Sequence, residues 1–341
     1  MIYLLQQQSD RKEGITLIPT IHHVSIINRY IVPSFEFYHN ILGLKLLMKT
    51  VNQDDTSMYH LFFSDEQGRP GTEFTVFEMT EGKQRTFGTN AIERTVFKVP
   101  SEHSLDFWEK RFDAFDVCHY GKERYNGRPI LRFEGPDGTG LGLVAMKEQE
   151  SLADFRPPAA EDIPEAHRIL GIDSVHLRVH YSEATKRELE TLLGWSVKGE
   201  TPFFDTPFKV TVLTNNDDRL NQEVHIIHDN QSPVEEQGIG SIHHVAFGVP
   251  DRKALDDALS RVQVKNFRHS PIKNREFFQS LYYREPNQLL IEIATNDGYL
   301  AEHEAGAADA FDTIPLYLPT FLEPQRRQLE RQLAESAHTP L

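Results

Sequence analysis

Short apolar runs separated by polar turns follow one another along the chain, and their order repeats. Ile21-His22-His23-Val24 opens a strand of about Ile21 to Ile27. Phe37, Ile41 and Leu42 then mark a helical stripe, with Ser34 as its expected N-cap and Gly43 as its stop. Strands are expected over Met58 to Phe63 and Phe74 to Phe77, divided by the turn-rich stretch Asp65 to Gly71. The same sequence of elements restarts at Glu93 to Pro100, with a helix around Leu105 to Phe115 and a turn at Pro136-Asp137-Gly138. It restarts again at Ser174 to Val179, whose helix ends Leu192-Leu193-Gly194-Trp195, and a fourth time at His243 to Pro250. Aligning the openings at positions 23, 94, 176 and 244 gives a repeat of about 70 to 80 residues. The end of the third helix resembles Ile41-Leu42-Gly43-Leu44 of the first, and the fourth opening matches the second almost step for step, so a doubled pair is expected. Residues 1 to about 16 form a polar leader. Residues 17–154 hold the first pair of modules, a Pro-rich acidic linker runs from about 155 to 164, and residues 165–300 hold the second pair. The extension 301–341 carries an amphipathic helix, with Phe321, Leu322, Leu329 and Leu333 expected to pack on the body.

Alternation along strands then assigns faces. In the fourth module His244, Ala246 and Gly248 share a side with room beside it. His243, Val245 and Phe247 share the other, which reads as core. In the first module His23 lies with Ser25, and His22 with Val24 and Ile26. Glu292 stands between Ile291 and Ile293 in an otherwise apolar run, and a buried carboxylate requires a partner or a metal. His23, His244 and Glu292 are therefore the candidate metal ligands. Pro286-Asn287 reads as a hairpin turn, which places Tyr282 opposite Glu292 on the same face.

Composition narrows the class. A formal net charge of −15 argues against a general nucleic-acid or anionic-membrane surface. The single cysteine, Cys118, excludes an intramolecular disulfide and suits a reducing cytoplasm. The N-terminus is too short and uncharged for a signal peptide, and no run approaches the roughly 20 apolar residues of a membrane span.

Four βαβββ modules with histidines on opening strands and a glutamate on the last closing strand resemble the vicinal oxygen chelate superfamily. Within it the chain is similar to the hydroquinone-type ring-cleaving dioxygenases of bacteria. The likeness is carried by Ile21 to Ser25, Tyr59 to Asp65 with Gly71-Thr72, Ile242 to His244, and Asn274-Arg275 through Tyr282 to Glu292. It implies an α+β fold whose four tandem modules form two open-barrel domains, followed by a C-terminal helix. It also implies metal ligands at His23, His244 and Glu292, supporting or catalytic roles for His22, Ser25, His243 and Arg275, and a tyrosine near the metal at Tyr282. Two imidazoles and one carboxylate leave the opposite coordination positions open, which suits Fe(II) that takes up both substrate and dioxygen. Ligand types alone leave Mn, Zn or Ni open. The expected substrate is a small hydroquinone- or catechol-like aromatic, with self-association left open.

Two other readings stay in view. One is a glyoxalase-type isomerase or lyase on the same fold; the other is a protein that binds aromatics without turnover. A site built from His176, His244 and Glu292, pairing modules three and four as in catechol-type relatives, is the competing geometry. Pairing modules one with four is favoured because His-His-Val occurs in those two, and modules two and three, with Arg94 at the opening position, read as a degenerate site.

Overall fold

The structure, a computed structural model, describes residues 20–215, 220–297, 310–335 and 338–340. The polar leader expected over 1 to about 16 lies outside these residues, as does the start of the C-terminal extension.

All four modules have the βαβββ order. The first comprises β1 (Ile21–Asn28), α1 (Ile31–Phe35) continuing as a π-helical turn (Glu36–Ile41), β2 (Lys45–Val51), β3 (Tyr59–Ser64) and β4 (Glu73–Glu78). The second comprises β5 (Ala91–Val99), α2 (Glu102–Ala114), β6 (His119–Tyr125), β7 (Arg128–Glu134) and β8 (Gly140–Ala145). The third comprises β9 (Gly171–Val179), α3 (Ser182–Leu193), β10 (Ser196–Pro202), β11 (Lys209–Thr214) and β12 (Glu223–His228). The fourth comprises β13 (Ile242–Val249), α4 (Arg252–Val264), β14 (Lys273–Asn274), β15 (Gln279–Arg284) and β16 (Leu290–Thr295), and α5 (Arg326–Ala334) follows in the extension.

These strands make two curled eight-stranded sheets. One has the order β14-β15-β16-β13-β1-β4-β3-β2, the other β10-β11-β12-β9-β5-β8-β7-β6. Modules one and four thus share a sheet through the antiparallel pair β1·β13, and modules two and three share the other through β5·β9. Each sheet takes one module from residues 17–154 and one from 165–300, so backbone pairing ties the two halves of the sequence together twice. Side chains on the convex faces, such as Val24, Phe74, Val245 and Phe247, are fully buried in one core that also takes in Phe97, Trp108 and Trp195.

Two local expectations are corrected. The first helix starts at Ile31, not after Ser34, and Pro33 lies in its first turn, where the missing N–H has no helical acceptor to lose. Ser34 does not cap; its hydroxyl donates back to the Tyr30 carbonyl and to Asn28 Oδ1. In the extension, Leu318, Leu322, Leu329 and Leu333 pack around Val51, whereas Phe321 is 53% exposed. Gly43 and Gly194 end their helices as expected, both with left-handed φ near 70°. The linker is exposed at its acidic residues but pinned by Phe155 and Ile163, both buried. No helix among the described residues is long and apolar enough to cross a membrane.

The junction between α3 and β15 carries a titratable lock. Tyr283 donates its hydroxyl to Glu188, and both side chains are buried. Burial pushes the Glu188 carboxyl up to about 8. A carboxyl raised on folding contributes stability while it stays protonated, and that contribution is lost as pH climbs from its ordinary value towards the folded one. Glu188→Gln is therefore expected to flatten the loss of stability between about pH 5 and pH 8 that the native chain shows. Parallel denaturation curves for the two proteins across that window count against the lock.

Candidate metal centre and active site

Strand register brings the candidate ligands together. Ser25 on β1 stands opposite His244 on β13, and His23 stands opposite Ala246. Ala246 in turn pairs with Glu292 on β16, and Glu292 with Tyr282 on β15. His23, His244 and Glu292 therefore meet on the concave face. His23 Nε2 lies 3.2 Å from His244 Nε2, and Glu292 Oε2 lies 3.3 Å and 2.9 Å from those two nitrogens. A first-row metal about 2.0–2.2 Å from each of three donors at near right angles would space them roughly 3 Å apart. Oε2 of Glu292 has no hydrogen-bond donor among the described residues, and the whole side chain is buried. Burial opposes its charge, but His23 and His244 outweigh burial and hold the carboxyl well below the usual range. Ser280 donates to its other oxygen, Oε1, at 2.5 Å. The donor set thus fits a divalent metal.

The first histidine of each pair is not where strict alternation placed it. The register between β1 and β13 slips at His22 and again at His243, so each of these is the extra residue of a β-bulge. A bulge turns consecutive side chains towards one another instead of to opposite faces. His22 Nδ1 reaches His23 Nδ1 at 3.0 Å, and His243 Nδ1 reaches His244 Nδ1 at 2.8 Å. The assignment of His22 and His243 to the core face is corrected accordingly. Burial, aided by the neighbouring imidazole, lowers both to about 3, so both rings are neutral. They differ in outlook. His22 is shut in against Phe278, while His243 lines the cavity in front of the ligands.

That cavity measures about 350 Å³, near the lower end of small-molecule sites. Its apolar wall is formed mainly by Phe62, Phe77, Phe277 and Phe278, with Met48. Tyr282 stands with its ring edge-on to His244, centroids 5.8 Å apart. The Arg275 guanidinium sits 5.2 Å from the Tyr282 ring centre and also donates to Asp54 Oδ2 at 2.7 Å. Lys273 donates to the other Asp54 oxygen at 2.7 Å, and Gln53 donates to the Arg275 carbonyl at 3.2 Å. The β2–β3 loop is thereby clamped to the β14–β15 end at the cavity mouth.

Sequence reasoning missed Asp54, Ser280 and His60. Asp54 sits in a polar loop with no periodic signal. Ser280 was findable, because it lies two residues before Tyr282 and so shares its face. His60 was findable in the same way, since alternation groups it with Phe62, away from fully buried Leu61.

The second sheet lacks this centre. By the same register, Arg94 stands where His23 does, Ser174 where His244 does, and His225 where Glu292 does. His176 pairs with Arg94 and so falls at the place of Ala246. The alignment of 176 with 244 was two residues out, a slip that alternation cannot detect because it preserves the face. His176 lies in the other sheet from His244 and Glu292, which removes the competing ligand set. The second concave face is instead filled by Val96, Tyr125, Ile130, Phe203, Val212 and Ile227.

No family model matches the chain. Among curated proteins it is 36% identical over 314 residues to MhqA of Bacillus subtilis (strain 168), a protein named as a ring-cleaving dioxygenase, covering 92% of this chain and 97% of that one. It is 26% identical over 305 residues to the chlorohydroquinone/hydroquinone 1,2-dioxygenase of Sphingobium indicum, covering 86% and 89%. A solved Bacillus subtilis structure described as a dioxygenase matches with a TM-score of 0.82 at 26% identity, covering 96% of this chain and all of that one. A glyoxalase I mutant from Zea mays matches with a TM-score of 0.64 at 14% identity over 84% of this chain, a likeness of fold alone. The paired modules, the metal-fitting centre of the first sheet and this near full-length likeness lead to one assignment: the chain belongs to the ring-cleaving dioxygenases built on the vicinal oxygen chelate fold.

Proposed function

We propose that the chain is an Fe(II)-dependent dioxygenase that opens the ring of a hydroquinone, with His23, His244 and Glu292 as the metal ligands. The observation that carries this reading is the convergence of those three donors at one end of an aromatic-walled cavity sized for a single substituted ring. The name of the Sphingobium relative supports the substrate class. Bound there, Fe(II) would supply Lewis acidity towards a phenolic oxygen and a route for electrons from ring to dioxygen.

The protein's own groups divide the remaining work. With Nε2 of His23 and His244 committed to the metal, each ring carries its proton on Nδ1 and donates it to Nδ1 of its neighbour. His22, itself buried, thereby fixes the orientation of His23. His243 is left with an Nε2–H directed at the cavity, a neutral donor for charge developing on a ring oxygen. Arg275 and Tyr282 face the same space from β14–β15, and the aromatic walls exclude water from around the ring.

Anaerobic reconstitution with Fe(II), followed by hydroquinone under oxygen, is the direct test. One iron per chain and stoichiometric oxygen uptake with a ring-opened product are expected. Turnover of a small aldehyde adduct without oxygen consumption would restore the isomerase reading.

A further inference from the structure

A ring with two neighbouring hydroxyls turns both towards one point, whereas a hydroquinone directs one towards the metal and the other across the cavity. On the cavity wall built by β3 and β4, His60 lies between two phenylalanines, 4.0 Å from Phe77 and 4.1 Å from Phe62 between ring centres. Its Nε2 is tied to Thr75 Oγ1 at 2.9 Å, and Thr75 Oγ1 to Ser25 Oγ at 2.7 Å. This chain fixes the ring and leaves Nδ1 as the nitrogen without a protein partner among the described residues. A second, independent observation sits beside it. Thr50 pairs directly with His60 across β2 and β3, so both project on the same face. Thr50 is 4% exposed, lines the same cavity, and its hydroxyl has no partner among the described residues. A buried orphan hydroxyl costs stability unless something meets it.

We propose that His60 and Thr50 form a subsite for the ring hydroxyl remote from the metal, and that this subsite selects hydroquinones over rings lacking a second, distant hydroxyl. The inference rests on the hydroquinone reading above. A hydroxyl both donates and accepts, so it satisfies His60 Nδ1 in either tautomer and Thr50 Oγ1 at once. A methyl or chloro group at that position does neither. Two other polar groups near the mouth are already engaged: Asp54 with Lys273 and Arg275, and Gln53 with the Arg275 carbonyl.

The test compares hydroquinone with phenol, which lacks the second hydroxyl, by anaerobic calorimetry on the iron-loaded protein and by kcat/KM in oxygen. The native chain should favour hydroquinone in binding by about tenfold, and each lost hydrogen bond should cost about three- to tenfold. His60→Phe keeps the aromatic packing and Thr50→Val keeps the shape. Both should weaken hydroquinone and leave phenol unchanged. His60→Asn retains a polar atom near Nδ1, and His60→Gln one near Nε2. Asparagine should therefore preserve more of the preference than glutamine. The reverse order would make His60 a support for Thr75 and overturn the subsite, as would an unchanged preference in His60→Phe and Thr50→Val. Selective binding without oxygen uptake would sink the dioxygenase reading while keeping the subsite; no hydroquinone binding by the native chain would sink both.

Discussion

Glu292→Ala is expected to leave the chain without its metal and to reduce oxygen uptake to background. Glu292 is the one carboxylate of the converging set, and it is buried with a free oxygen directed at two imidazole nitrogens. Without it, a divalent ion would carry its full charge into a buried pocket against neutral ligands only. Loss of a residue that merely supports a ligand costs about 10- to 100-fold in metal affinity, so loss of the ligand itself should exceed that range. Metal per chain after reconstitution and dialysis reads the effect directly. Thermal denaturation reads it again, because a metal that binds only the folded state raises stability by mass action. Added Fe(II) should raise the midpoint of the native chain and leave that of the variant where it was. Full metal content in the variant would point to the other group within reach, His22, His23 and Glu73. That group is the poorer cage. Its two imidazoles face each other through Nδ1 at 3.0 Å, and Glu73 lies 3.8 Å from His22. Burial, with Asp65 and Glu292 nearby, also pushes the Glu73 carboxyl well above its usual range, towards the protonated form that makes a weak ligand.

Much of this centre was legible in the sequence because its parts obey a single periodicity. His23, His244 and Glu292 were placed by alternation within strands, and Tyr282 by counting back from a turn; the hairpin is regular there, so counting works. The union of modules one and four was legible from the doubled His-His-Val. What stayed hidden depends on departures from regularity. Nothing in Ile21-His22-His23-Val24 announces that His22 is a bulge, yet the bulge decides that it supports His23 from the side. Likewise the opening of the third module, Gly171 to Val179, offers both Ser174 and His176 on one face, and only pairing with β5 shows which one matches His244. The clamp of Asp54 on Arg275 joins segments more than 200 residues apart and leaves no local trace. Ser34 failed as a cap because Pro33, a good first-turn residue, shifted the helix start upstream.

Removing a single oxygen atom separates chemistry from packing at Tyr282. The ring stands opposite Glu292 and edge-on to His244, in contact with the cavity. Burial and the Glu292 charge push its phenol up, and although Arg275 opposes them the net effect keeps it protonated. On the proposed reading, a protonated phenol in that position would donate a hydrogen bond to a ring oxygen and return a proton to the opened product. Phenylalanine retains the apolar body, the edge-on contact and the face over which Arg275 lies. Tyr282→Phe should therefore fold and load iron as the native chain does. General acid–base assistance is commonly worth about 10²–10⁴-fold, and even its partial loss should lower turnover of hydroquinone by at least about tenfold. Oxygen uptake by the iron-loaded variant, at saturating hydroquinone, measures this. Because the lost group acts on the reacting ring and not on its capture, the fall should appear in kcat more than in KM. Unchanged uptake would reduce Tyr282 to a packing partner of His244 and leave His243 and Arg275 as the polar groups acting on the ring.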